Sequence, residues 1–155
     1  MLTNQRILLV KRPRGRPKPS DFVLDHQTMT PPLSSSSSSI VPPSGGVLLR
    51  TMYISIDPAM RGWMSNVTTS YLPPVKINDV MRASSIGVVV LSDNETFPVG
   101  TKVKCDTGGV QTYVAVSAAE AAWLTILPPD RDSASSGRAV PLSAHLGVLG
   151  TTGLT

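Results

Sequence analysis

The sequence predicts a mainly β domain, a barrel or sandwich, on three observations. Short runs rich in Val, Ile and Leu follow one another, each broken by glycine or proline, with no β-α alternation. One of them, VQTYVAV at 110–116, alternates cleanly with the period of two that suits a half-buried strand. At 155 residues, 41% hydrophobic and 15% charged, the chain has room for one domain with a real core and is too apolar to read as disordered.

QRILLVK at 5–11 reads as a first strand, ended by the proline-punctuated run RPRGRPKPS. DFVLD at 21–25 is a plausible partner, with Phe22 and Leu24 on one side. A low-complexity stretch at 29–46, with six consecutive serines between proline pairs, has nothing to bury and reads as a mobile loop inserted into a surface connection. Residues 46–56 form the next strand, with Met52, Ile54 and Ile56 expected on one face and Tyr53 and Ser55 on the other. IGVVVLS at 86–92 follows, then a turn beginning at Ser92, the reversal FPVG at 97–100 and a strand at 102–105. With the run after Gly108 and Gly109 this makes about six strands. Leu142 to Leu149, after Pro141, is the one convincing helix, and Gly150 is a plausible C-cap.

Charge is unevenly placed. Six of the fourteen basic residues precede Asp21, the first acidic one, which leaves eight basic against ten acidic residues over the rest. A single cysteine, Cys105, rules out an intramolecular disulfide and a cysteine-based zinc cluster, and fits a reducing compartment such as the cytoplasm. The N-terminus lacks an apolar h-region, and no stretch approaches the ~18 to 20 apolar residues that span a bilayer, so neither secretion nor membrane insertion is indicated.

The most informative stretch is TMYISIDPAMRGWM at 51–64. Strand-like alternation stops at Asp57-Pro58, because Pro58 removes a ladder donor and holds Asp57 out of the α region, and one helical turn follows. Taken structurally, Asp57 and Arg61 are spaced i, i+4 and are placed to pair across the turn, while Met60 and Met64 pack beneath. Downstream stand SYLPP at 70–74, VMRASSIGVVV at 80–90, FPVGTKV at 97–103 and PLSAHLGVLGTTGLT at 141–155. Together these five blocks resemble the N-terminal half of the zinc-independent medium-chain dehydrogenase/reductases, specifically the alkenal/one reductases and prostaglandin reductases, from near Asn4 to the last residue with one unmatched patch between Met29 and Gly46.

That resemblance implies a GroES-like, partly open β-barrel with one or two short helices over residues 1–140, and a segment at 141–155 that begins the helix into a nucleotide-binding Rossmann domain absent from these 155 residues. It implies NADPH-dependent reduction of the activated carbon–carbon double bond of an enal or enone. It places Ala59, Arg61 and Tyr71 at the substrate, and Pro58, Ala59, Gly150, Thr151 and Thr152 near the nicotinamide, with the catalytic group unassigned. The family usually carries an aromatic residue where this chain has Ala59, so the cleft wall differs there. With the cofactor domain missing, the chain is expected to be inactive alone, and the barrel face so exposed leaves room for homo- or hetero-oligomers or for a stand-alone barrel that binds a partner protein.

The sequence also bears on two rival chemistries. The run from Lys11 to Lys18 contains Arg14-Gly15-Arg16-Pro17, the core of an AT-hook, whose arginines would reach along an A·T-rich minor groove in weak DNA binding. The same residues stand where the reductases place a basic, proline-rich turn, and the turn is the preferred reading. A catalytic zinc needs three ligands and a structural one four, yet His26, His145 and Cys105 are isolated in sequence, so no metal is expected. Gly147, Gly150 and Gly153 follow a helix-like run and not a strand, which is not a dinucleotide fingerprint.

Overall fold

A computed structural model describes residues 2–29, 42–69, 72–128 and 140–150. Seven strands and two four-residue helices lie among them: β1 (Leu2–Leu9), β2 (Phe22–Met29), β3 (Val47–Ile54), α1 (Met60–Trp63), β4 (Ser85–Ser92), β5 (Lys102–Cys105), β6 (Tyr113–Val116), α2 (Ala118–Ala121) and β7 (Thr125–Ile126). β1 and β2 pair as an antiparallel ribbon from Leu2 with Met29 to Leu9 with Phe22. The other five form one sheet in the order β6-β3-β4-β5-β7, antiparallel throughout. The mainly β, partly open architecture expected of the sequence is therefore present.

The ribbon is tied to the rest through the inner edge of β1. Ile7 donates its N–H to the Val110 carbonyl at 2.9 Å and Leu9 to that of Asp79 at 3.0 Å, while Met81 and Thr112 donate back to Ile7 and Gln5 at 2.8 and 2.9 Å. Asn4, 3% exposed, closes the junction: its amide donates to the Tyr113 carbonyl at 3.0 Å and its Oδ1 accepts the Tyr113 N–H at 2.9 Å. A buried amide is stable here because every polar atom has a partner.

Two cores result. The sheet packs Val47, Leu49, Val89, Phe97, Val103, Cys105, Val114 and Val116 with Ala121 of α2. Beneath the ribbon, Leu9, Met60, Trp63, Met64, Val75, Met81 and Ala83 form a second cluster.

Several boundaries differ from those expected. β1 occupies Leu2–Leu9 and stops before Lys11, and β2 runs Phe22–Met29, with Leu24 as well as Val23 exposed. β3 ends at Ile54, and two register shifts against β4, at Leu48/Leu49 and Thr51/Tyr53, break its alternation. A bulge re-aims the side chains beyond it, so Met52 and Tyr53 are exposed to the same degree, 42% and 43%. The expected helix at 142–149 is instead a 3₁₀ turn, Leu142–His145, followed by further turns. Gly147 costs about 1 kcal/mol in a helix interior, and Pro141 offers no side-chain cap. Leu142 and Leu146 anchor this segment on Ile86 and Leu127. α2 and β7 were not anticipated, although Ser117 and Glu120 spell a capping box that the structure forms, Glu120 Oε2 accepting the Ser117 N–H at 2.9 Å. Most of the serine-rich stretch lies outside the described residues.

Candidate functional site at the Asp57-Pro58 turn

After β3 the chain turns at Asp57-Pro58 into α1, with Met60 and Arg61 donating their N–H groups to the Asp57 and Pro58 carbonyls, both at 3.0 Å. Spacing of three and four puts Met60, Trp63 and Met64 on the inner face, 6–7% exposed, and leaves Pro58, Ala59, Arg61 and Gly62 outside. The Asp57 N–H meets the Met60 sulfur at 3.4 Å.

Under this turn lies an apolar cleft of about 450 Å³. Met60, Met64 and Met81 join Phe22 and Val110 inside it, and Pro17, Ile56 and Pro58 contribute to its walls. Asp57 and Arg61 are the charged residues of the lining among the described residues. They do not pair as their spacing suggested: Arg61 Nη2 turns to the Pro13 carbonyl at 3.4 Å, a long contact that leaves most of the guanidinium donors directed at solvent. Thioethers are polarizable and unbranched, so three methionines make a lining that adapts to its contents.

Of the residues expected at the site, the structure brings Pro58 and Arg61 together on the cleft. Ala59 is exposed on the same turn and does not line it. Gly150 is buried in the segment after the Leu142–His145 turn and does not line the cleft either. Tyr71, Thr151 and Thr152 lie outside the described residues. Phe22, Met81, Val110 and Pro17 were missed, because in sequence they are ordinary apolar positions that only the β1–β2 ribbon and the 78–81 and 110–112 segments bring under one turn.

The basic run takes the form of a closed turn. Val10 and Lys11 both donate to the Asp21 carbonyl, at 2.9 and 3.2 Å, and the Asp21 carboxylate accepts the Lys18 N–H at 2.9 Å. Arg14 and Arg16 are exposed around Gly15, whose φ of 77° is the left-handed value that glycine adopts without strain. Arg12 is not free: it donates to the carbonyls of Met64, Ser65 and Val75.

Cys105 lies elsewhere, in a cavity of about 350 Å³ with Glu120 and Trp123. Burial pushes its thiol above the usual value, against the pull of hydrogen bonds from Thr107. No group of three His, Cys, Asp or Glu residues among the described residues could hold a metal ion, and no helix among them is long and apolar enough to cross a membrane.

Comparison with known proteins places this architecture. The family model described as the N-terminal domain of oxidoreductase matches residues 5–124. The NADPH-dependent curcumin reductase of Escherichia coli is 34% identical over 159 residues, covering 98% of this chain and 37% of the relative. Prostaglandin reductase 1 of Rattus norvegicus is 33% identical over 150 residues, 95% of this chain and 36% of its own length. The crystal structure of CurA from Vibrio vulnificus superposes with a TM-score of 0.68 at 32% identity, over 97% of this chain and 38% of that one, and a second CurA structure, in complex with NADPH, gives the same TM-score at 30% identity, over 96% of this chain and 37% of that one. The chain thus spans under two fifths of the length of these relatives. It belongs to the family of oxidoreductase N-terminal domains, within the medium-chain dehydrogenase/reductases.

Proposed function

We propose that this chain is the substrate-side part of an NADPH-dependent reductase acting on the activated carbon–carbon double bond of an enal or enone, and that the 155 residues alone do not turn over. The observation that carries the reading is the apolar cleft beyond a strand end with the Arg61 guanidinium on its rim, bonded among the described residues only by one long contact to the Pro13 carbonyl. The cleft accepts the flat, apolar body of a conjugated carbonyl compound. Arg61 then offers N–H donors to the carbonyl oxygen, where negative charge develops as the double bond is reduced. Met60, Met64 and Phe22 exclude water from the reacting carbons.

The chain fits one end of the cofactor. An exposed turn beside an apolar cleft suits a nicotinamide ring, and Pro58 and Ala59 are the residues we assign to it; the family resemblance adds Gly150, Thr151 and Thr152. The reduced nicotinamide, when bound, supplies the hydride. For the pyrophosphate the described residues offer no glycine-rich turn between a strand and a helix, the feature that usually holds it. Inactivity of the isolated chain follows from that gap. Cytoplasmic location and independence of zinc belong to the same reading.

Hydrogen exchange of the purified chain with and without an enone tests the site. Protection of residues 57–64, with none around Cys105, is the expected result. Protection at the Cys105 cavity alone, or NADPH consumption by the isolated chain, would overturn it.

A further inference from the structure

The basic run contains one arginine that is spent inside the molecule. Arg12 Nη1 donates to the Met64 carbonyl at 3.1 Å and the Ser65 carbonyl at 2.6 Å, and Nη2 donates to the Val75 carbonyl at 3.0 Å. These acceptors sit on two segments, the C-terminal end of α1 and the irregular stretch around Val75. None of the three carbonyls accepts a backbone N–H among the described residues, and for Met64 and Ser65 the reason is that the last carbonyls of a helix have no intrahelical donor. One planar fork of donors spans both segments, a geometry that a lysine ammonium on a flexible stem does not reproduce.

A second contact runs the opposite way. Arg61 of α1 reaches back to the Pro13 carbonyl, the residue next to Arg12. The loop is therefore clasped to α1 from both sides, and its stems are closed by Asp21. Pro17, four residues after Pro13, lines the cleft, while at the tip a Cβ on Gly15 would meet nothing within 4 Å. The loop is thus an arm standing in solvent, held at its base and along one side, with one proline on the ligand cavity.

We infer that Arg12 is a positioning residue for the cleft: its guanidinium locks the 11–18 loop onto the end of α1, and the locked loop holds Pro17 in the cleft's wall. The effect on catalysis rests on the function proposed above. The effect on the cleft does not, which makes the two separable. The same geometry gives the basic run a use that needs no nucleic acid, since its half-buried arginine is a structural peg.

The test compares the wild-type chain with Arg12→Lys, which keeps the charge and loses the fork, and with Arg14→Ala, which removes an exposed cation of the same loop. The amides of Met64, Ser65 and Val75 donate to Met60, Gly62 and Trp63 and report on the clasped segments. In Arg12→Lys their hydrogen exchange should rise about tenfold, the loss expected for charge-assisted bonds, while Leu49 and Val89 in the sheet keep wild-type rates. Affinity of the cleft for an uncharged naphthylamine dye should fall by a similar factor, and Arg14→Ala should change neither reading. If the three amides keep wild-type rates, if all amides accelerate equally, or if dye affinity is unchanged while the amides open, Arg12 does not position the cleft. Where dye binding responds as expected but enone binding is absent from the wild-type chain, the clasp stands and the reductase reading falls.

Discussion

The two cores of this domain are built from different materials. The sheet core is mostly β-branched, with Val47, Val89, Val103, Val114 and Val116 packed across antiparallel ladders that are interrupted only by the two bulges of β3 against β4, and each fully buried aliphatic contributes about 1.5–3 kcal/mol. The core under the ribbon holds three methionines, a four-residue helix, a Trp63 whose Nε1 has no partner, and a structural arginine bonded to carbonyls in place of a carboxylate. Stiff χ1 rotamers and regular pairing fix the first. Adaptable side chains surround a cleft in the second. The more regular packing is in the half that has no proposed chemistry, and the proposed ligand site is in the half built of adaptable side chains.

Four changes sharpen that contrast. Leu49→Ala, at a position 1% exposed in the sheet core, should cost about 2–5 kcal/mol in a denaturant titration. A loss below 1 kcal/mol, by the same scale, would mean that the sheet core relaxes as easily as the other. Gly108→Ala comes next. A Cβ there would stand 2.3 Å from Ser85 Oγ, so a loss of about 1–3 kcal/mol is expected, and adding Ser85→Ala should recover part of it.

Alkaline pH should act on the sheet core through Cys105. Burial raises the Cys105 thiol in the folded state above its unfolded value, so its contribution is complete below the usual thiol range and is lost as pH rises through that range toward the folded value. Stability should decline there in the wild type and stay flatter in Cys105→Ala, as read by thermal melts across the alkaline range. The smallest effect is expected in the adaptable half: Met64→Leu should cost less than about 1.5 kcal/mol while altering ligand affinity at the cleft, measured by calorimetry. A large stability loss with unchanged affinity would remove the distinction between the cores.

How much of this was legible follows the same division. Period-two alternation and Gly/Pro punctuation located β3 to β6 to within a few residues, because short strands announce themselves locally. Asp57-Pro58 marked the turn into α1 for the same reason, since proline acts on its own backbone and on its neighbour's, although β3 itself ends earlier, at Ile54. Lost to the sequence was whatever depends on distant partners. The bulges in β3 come from its pairing with β4, and the cleft needs Phe22, Met81 and Val110 to converge from three segments. Asp57 and Arg61 looked like a pair by spacing, yet Arg61 is drawn to Pro13, 48 residues away. α2 was readable from Ser117 and Glu120 alone and was simply passed over.

The most direct measurement joins this chain to the nucleotide-binding remainder of the Escherichia coli curcumin reductase and follows enone-dependent NADPH oxidation, with the isolated chain and an Arg61→Ala form of the joined protein alongside. The account predicts turnover by the joined protein, none by the isolated chain, and a loss of turnover efficiency in Arg61→Ala. A folded joined protein that binds NADPH and leaves every enal and enone untouched would contradict it.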